Sequence, residues 1–526
     1  MTTLICAGGS GTKVLESLLH LCAAGLGPEE LRILVIDPDG ANGNGTRSKE
    51  LLNKYEECRA AYGSKMGGIN FFRTRLDLLE AQEGQSGLKV WSPVGANKTF
   101  SDVLNFSLLE EKKDLVHLFF TDQELGIEMH NGFLGHPAIG AAAMSLLSLY
   151  SGQKPWNQLV EKIRTDVSQP EGSRVVIVGS VFGGTGASAI HPLVRFLRSP
   201  SVLETNRDRL KIAVVALGPY FQFKASAVVT GAASEAAAKS EWFALATRSA
   251  VQFYQHLREH QDWDFDAMYW LGDDSLMEVD YCEGGPRQKN PAHFVDLLAA
   301  VACRDFLDGA TTAEACYYAG PRECTEDRFR NRNVLCWGDV PIAESDPEKR
   351  DKRRDDLYFG LLRFLLAGAA HVGFFEPLLK TDRIDQRPFC VPWYLDRFAL
   401  REERLTEPEN RTQLTAFSDF LSKYHFPWWR QMLASDPDRV RLFNRAAFMP
   451  RDDGGSEISL DRLANLDWPD RDSRATLDSM DRFFSNTVVA AKTTGGQGAA
   501  ASYVAVLGAA ADRFISREYQ LKKEGS

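Results

Sequence analysis

Apolar and polar positions along this chain follow two periods, and they alternate. The densest apolar run, Val175-Val-Ile-Val178, passes through Gly179-Ser-Val-Phe-Gly-Gly-Thr-Gly-Ala-Ser188 into the periodic stretch Ala189-Ile-His-Pro-Leu-Val-Arg-Phe-Leu197. Successive β-branched residues, a small-residue stretch and then helical spacing predict a buried strand feeding a helix through a tight turn. The chain opens in the same order: Leu4 to Ala7 predicts a strand, Gly8-Gly-Ser-Gly-Thr12 a loop, and Val14 to Ala24 a helix with Val14, Leu15, Leu18, Leu19 and Cys22 on one face. Leu31 to Ile36 predicts a second strand, which ends in Asp37-Pro-Asp39 and the loop Gly40-Ala-Asn-Gly-Asn-Gly45.

Further along, Lys211 to Leu217 and Ala267 to Leu271 predict strands, the second ending in Gly272-Asp-Asp274. Helices are expected over Ala141 to Tyr150, Glu235 to His256 and Phe294 to Leu307, the last apolar on several faces, as a helix buried between domains would be. Between about residues 46 and 115 the signals are mixed, with a helix at Tyr55 to Tyr62 and a weak strand at Leu88 to Trp91. Beyond about residue 310 come the charge-dense segments Arg322 to Arg332 and Glu344 to Asp356, and a helix over Tyr358 to Phe375. The Trp- and Pro-rich reach Arg387 to Trp429 predicts irregular connections, and Ala475 to Lys492 and Ser502 to Leu521 predict late helical or mixed elements.

Alternating strands and helices argue an α/β fold with a Rossmann-like parallel sheet. The expected organisation is a nucleotide-binding domain over residues 1–310, closed by a central helix at about 290–308, and a second α+β domain over 311–526 with extra helices. At 526 residues the chain is too long for one ordinary core.

Composition narrows the partners. A formal net charge of −10 gives no general attraction to nucleic acid or anionic lipid. The nine cysteines form no C-x-x-C pair and read as reduced thiols in a cytoplasmic protein. The N-terminus lacks a basic segment ahead of an apolar core, so no secretory signal is expected. The longest apolar stretches are too short, or are interrupted by Arg363 and His371, and no membrane insertion is expected.

The loops carry the candidate chemistry. Gly183, Gly184 and Gly186 let backbone N–H groups converge on an anion at a helix start, with Thr185 and Ser188 adding hydroxyls. Gly8, Gly9, Ser10, Gly11 and Thr12 form a similar loop, and Gly132-Phe-Leu-Gly-His-Pro-Ala-Ile-Gly140 a third. Acidic residues at a strand's carboxyl end, here Asp37 and Asp39, suit ribose hydroxyls or magnesium-bound water; a plain Asp-Pro-Asp-Gly turn is the alternative. The first loop is neither a P-loop nor a full dinucleotide fingerprint, since Val14 stands where the third glycine belongs.

Phe182-Gly-Gly-Thr-Gly-Ala-Ser188 resembles the G-G-G-T-G-[ST]-G loop of the tubulin and FtsZ superfamily, bacterial members included. Gly8-Gly-Ser-Gly11 is similar to that family's opening glycine loop, and the Gly132 to Gly140 loop, with Gly132 and Gly135, to its G-A-G-x-N-P-E-V-G loop. Phe182, Ala187, Ser188 and His136 depart from the family residues. The resemblance covers roughly residues 1–310 and implies GTP or GDP with Mg2+, bound by the glycine loops with Ala187 and Ser188 at the helix start. It also implies Asp37 and Asp39 in the acidic second loop, and Glu235 and Lys239 at the E-x-x-x-R spacing for ribose and phosphate. Asp273, Phe294 and Asp296 then stand where the base is met.

In that family the nucleotide lies between subunits stacked head to tail, and a carboxylate of the next subunit orients the attacking water. The N-x-D-x-x-[DE] segment that supplies it is absent here. The nearest candidates are Asp339 in Cys336-Trp-Gly-Asp-Val-Pro341 and Asp346, with Glu344 ahead of it; a solvated acidic loop is the plain alternative. The expectation is therefore a cytoplasmic GTP-binding protein, a GTPase that self-associates into filaments, with protein partners through its C-terminal part. The alternatives are a nucleotide sensor or structural protein that does not hydrolyse, and a dinucleotide-dependent oxidoreductase.

Overall fold

The computed structural model describes residues 1–63, 68–79, 98–129, 136–145, 152–224, 240–260, 262–273, 285–309, 337–372, 407–435, 447–458 and 498–523, with a few positions between these stretches. Its centre is a parallel sheet. The strands in chain order are β1 (Thr2–Ala7), β2 (Glu30–Ile36), β3 (Arg75–Leu78), β4 (Val90–Trp91), β5 (Ser173–Ser180) and β6 (Leu210–Leu217). A short strand β7 (Phe221–Phe223) follows, then β8 (Ala267–Leu271), a short β9 (Met277–Val279) and β10 (Ala315–Ala319). The sheet order is β10-β8-β6-β5-β1-β2-β3, with β4 also on β2, and every pairing is parallel. β7 and β9 pair separately, also parallel. The chain is thus mixed α/β with a Rossmann-like sheet, and its strand order reverses at the β1–β5 boundary, where such sheets place their ligands.

The strands form because their side chains are apolar on both faces, as a sheet covered on both sides requires. Leu4, Cys6, Ile33, Val35, Val176, Val178, Ala213 and Val215 face one layer, and Ile5, Leu34, Ile36, Val175, Ile177, Ile212 and Val214 the other. The second layer holds α4 (Trp156–Ser168), α5 (Gly184–Arg198) and the later turns of α6 (Ser240–Glu259) through Tyr254 and Leu257. Between β4 and α4 lies a small apolar cluster of Phe100, Leu125, Ile127, Met129, Phe133, Ile139 and Ala143, which seats α3 (Pro137–Met144). α3 comes so close to α5 that a Cβ on Gly140 would sit 2.3 Å from Ser188 Oγ.

The first layer is thicker. It contains α1 (Gly8–Ala23), α2 (Gly43–Tyr62) and α7 (Phe294–Leu307). Outside them pack α8 (Pro347–Ala370), α9 (Pro408–Asp419), a π-helical turn at Phe420–His425, α10 (Phe426–Ser435) and α11 (Ala499–Lys523). Leu15, Leu18, Tyr62, Phe72, Val295 and Leu298 share one buried cluster with Phe364, Phe417, Phe420, Trp428, Tyr503 and Leu507. Among the described residues, this buried cluster runs on across the expected boundary near residue 310.

Several elements differ from their sequence expectation for identifiable reasons. β3 is a four-residue edge strand carrying Arg75 and Asp77, too short and charged to announce itself. α2 begins at Gly43, where glycines and polar residues hide the period, rather than near Tyr55. The expected helix Phe294 to Leu307 is found, and it also serves as the crossover between the parallel strands β8 and β10. Residues 408–429 of the reach expected to be irregular are helical: Pro408 is the first residue of α9, where proline is tolerated. The expected helix Ala475 to Lys492 lies outside the described residues. Among the described residues no helix is long and apolar enough to cross a membrane.

Candidate functional site

The carboxyl ends of β1, β2 and β5 open into a shared cleft. Three glycine loops, distant in sequence, line it: Gly8, Gly9 and Ser10 from the first, Gly132 and Phe133 from the third, and Phe182, Gly183, Gly184, Thr185 and Gly186 from the stretch after β5.

Close approach explains the glycines. A Cβ on Gly186 would meet the Ser180 carbonyl oxygen at 2.4 Å, and one on Gly11 the Val178 carbonyl oxygen at 2.8 Å, so β1, β5 and their helices can pack this tightly only without side chains there. Gly8 has φ of +73°, a conformation that other residues rarely adopt, and it turns the chain from β1 directly into α1. α1, α3 and α5 all start at these loops, and none has a side-chain cap or an acidic residue in its first turn. First-turn residues of α1 and α5 line the cleft, so the leading N–H groups and positive dipole ends of these two helices are left to whatever occupies it.

The second loop supplies a polar wall. Asp37, Asp39, Asn42 and Asn44 line the cleft together with Gln288 and Asn290, from the segment that leads into α7. The two sides are stitched together: the Gly285 N–H donates to Asp39 Oδ2 at 2.7 Å, Asn42 Nδ2 to Gln288 Oε1 at 2.7 Å, and the Asn290 N–H to Asn44 Oδ1 at 2.9 Å. Burial, with Asp39 beside it, pushes the Asp37 carboxyl up to about 8. The cleft is also lined by an aromatic wall of Phe182, Phe221, Phe223 and Phe243, and by Asp280 and Cys282.

The remaining expected site residues are placed as follows. Thr12 is buried and its hydroxyl donates to the Gly9 carbonyl at 2.8 Å, bracing the first loop from behind; Gly11 packs against β5. Ser188 is buried one turn into α5, donating to the Thr185 carbonyl, and Ala187 is half-buried beside it; neither lines the cleft.

Asp273, Phe294 and Asp296, expected at a base, also lie away from the cleft lining. Phe294 is core. Asp296 is buried, 2.9 Å from Lys13 Nζ, accepts from the Tyr220 hydroxyl at 2.8 Å and caps α7 through the His293 N–H at 2.9 Å. Asp273 is buried, 4.0 Å from His293 Nε2. Asp339 is buried in the turn Trp337–Asp339, and Asp346 caps α8 by accepting from the Glu348 and Lys349 N–H groups. Gly135, Glu235 and Lys239 lie outside the described residues.

Sequence reasoning missed the amide side chains of Asn42, Asn44, Gln288 and Asn290 and the aromatic wall. Asn42-Gly-Asn44, next to the acidic pair, carried a usable signal; Gln288, Phe223 and Phe243 did not. Among the described residues no cluster of three or more His, Cys, Asp or Glu side chains could hold a metal alone. Two carboxylates facing an anion cradle nonetheless fit magnesium, which typically takes one or two protein carboxylates and completes its shell with phosphate and water. No protein-family model matches the chain, and no curated protein matches it.

Proposed function

We propose that this chain binds a purine nucleoside triphosphate, GTP, in the cleft between β1 and β5, in the manner of the tubulin and FtsZ superfamily. One observation carries the reading: three glycine loops, the first more than a hundred residues from the other two, line one cleft, and α1 and α5 start there without a side-chain cap. Convergent N–H donors and helix dipoles are what a polyphosphate requires. Asp37 and Asp39 would hold a magnesium ion that arrives with the phosphates and draws charge from their oxygens. A dinucleotide at the same switch point is a weaker fit, because glycine loops stand on both sides of the boundary and the first lacks its third glycine.

Hydrolysis needs a carboxylate that neither Asp339 nor Asp346 brings to this chain's own cleft. In head-to-tail assembly such a group would come from the next copy, and open filaments follow from that kind of contact. A nucleotide-binding protein that does not turn over is the second reading, favoured by Asp346 being spent on its helix cap.

The test is nucleotide released from the purified protein, identified by mass spectrometry, with equilibrium titration of GTP, ATP and NAD. GTP bound by the wild type and lost by at least 100-fold in Gly184→Val, which adds a branched side chain on the cradle wall, is the expected result. Equal affinity in that variant, or NAD in the released fraction, would sink the reading. Phosphate release and light scattering with GTP then separate a polymerising GTPase from a sensor.

A further inference from the structure

The positions expected to meet a base do not line the cleft, while four phenylalanines that were expected at no ligand do. Phe182 follows the strand β5, Phe221 and Phe223 come from β7, and Phe243 from the first turn of α6. Their rings form one cluster: Phe182 lies 4.8 Å from Phe243 and 5.4 Å from Phe221, and Phe223 lies 5.5 Å from Phe243, centroid to centroid. Phe182, Phe221 and Phe243 are buried, whereas Phe223 is half-buried and turns part of its surface to the cleft.

We infer that this wall, with Phe223 as its outermost ring, takes the planar base of the cleft's ligand. The inference rests on the nucleotide reading above and adds to it which residues receive the base. A cleft lined by both an aromatic surface and backbone N–H donors suits a ligand that carries both a flat ring and an anionic tail. Charge agrees with a neutral base: Asp39 in the cleft lining would repel a second anionic group, and Asp280 is already paired with Lys224 at 2.9 Å. Phe182 replaces a glycine of the resembled loop, so the aromatic cluster is assembled partly from a residue that sequence comparison counts as a defect. The β7–β9 pair holds Phe221 and Phe223 in an extended register, with alternate side chains on opposite faces and the rings at 221 and 223 on the same one.

Base stacking on an aromatic side chain is typically worth roughly 5- to 150-fold in affinity on removal to alanine. The experiment measures binding of GTP, ATP and inorganic tripolyphosphate to the full chain and to Phe223→Ala and Phe223→Leu, the second keeping apolar volume without a π face. The expected result is loss of nucleotide affinity within that range in both variants, with tripolyphosphate affinity unchanged. The ATP arm shows whether the wall accepts any purine or needs groups that only guanine carries. Nucleotide affinity unchanged in both variants overturns the assignment while leaving the cradle intact. Tripolyphosphate lost in parallel with the nucleotide overturns it too, because the ring would then be serving the fold. A wild-type chain that binds neither ligand removes the nucleotide reading and this inference with it.

Discussion

At the scale of single residues, the most informative group is Lys13. It is fully buried, and burial pulls its ammonium below the ordinary lysine value while Asp296 pulls it back up. The ion pair stands behind the first glycine loop, with Lys13 Nζ 5.0 Å over the Tyr220 ring and Ser10, on the cleft wall, hydrogen-bonded to the Tyr220 phenol. A buried pair of this kind contributes little beyond well-packed apolar residues, but removing one member strands the other charge at a cost of about 3–5 kcal/mol. Lys13→Met should therefore destabilise the fold by that order in urea titration. Lys13→Met combined with Asp296→Asn, which keeps an acceptor for the His293 N–H, should recover most of it. Equal loss in the single and double variants would mean the pair does not act as a unit. The resemblance puts Asp296 at a base, at the start of the central helix; the same position is also where a capping acid belongs, and only the neighbours decide.

At the scale of elements, the outer helices are joined to the inner ones through histidines. His425, in the π-helical turn, lies 3.1 Å from His20 of α1, Nδ1 to Nδ1, accepts from Trp429 Nε1 at 3.2 Å, and sits near Trp428, which stacks on His20 at 4.5 Å. His371, just after α8, bonds Tyr503 of α11 at 3.1 Å and Ser418 of α9 at 2.7 Å. Burial pulls His371 and His425 each down to about 3 from the ordinary 6.5, and pulls His20 well down as well. The unfolded chain takes up these protons below pH 6.5 and the folded one does not, so stability is full above that value and falls as the pH drops towards 3. Each histidine removes about 2 kcal/mol between pH 6.5 and pH 5. Thermal melts should show a steep acid limb, and His425→Gln should flatten it by roughly one histidine's share; an unchanged limb would place the acid sensitivity elsewhere. This joint was not legible in the sequence. The strands β1, β5, β6 and β8 announced themselves by unbroken apolar runs, and the glycine loops by spacing. Contacts such as His20 with His425 join positions four hundred residues apart, and no local pattern encodes them.

At the scale of the whole molecule, the expected two-domain plan meets a packing that ignores its boundary. Phe72 lies 5.1 Å from Phe420, 5.7 Å from Phe364 and 6.1 Å from Phe417, Phe71 lies 4.9 Å from Phe364, and Tyr62 lies 5.8 Å from Phe417. The ion pair of buried Asp305 with half-buried Arg353 at 2.7 Å ties the end of α7 to α8. A chain ending at residue 310 would uncover several of these rings and leave Asp305 without its cation. At about 25 cal/mol per Å2 of apolar surface, and about 150–250 Å2 per aromatic side chain, the exposure of three rings alone costs on the order of 10 kcal/mol. That is the size of a domain's entire stability, about 5–15 kcal/mol. The outer helices are thus part of the fold that holds α1 and α7, and through them the first glycine loop, in place. A fragment of residues 1–310 should show no cooperative thermal transition, should bind hydrophobic dye in the cold, and should have lost GTP affinity that the full chain retains. A fragment that melts sharply and binds GTP as the full chain does would make residues 1–310 an independent domain and the outer helices an appendage.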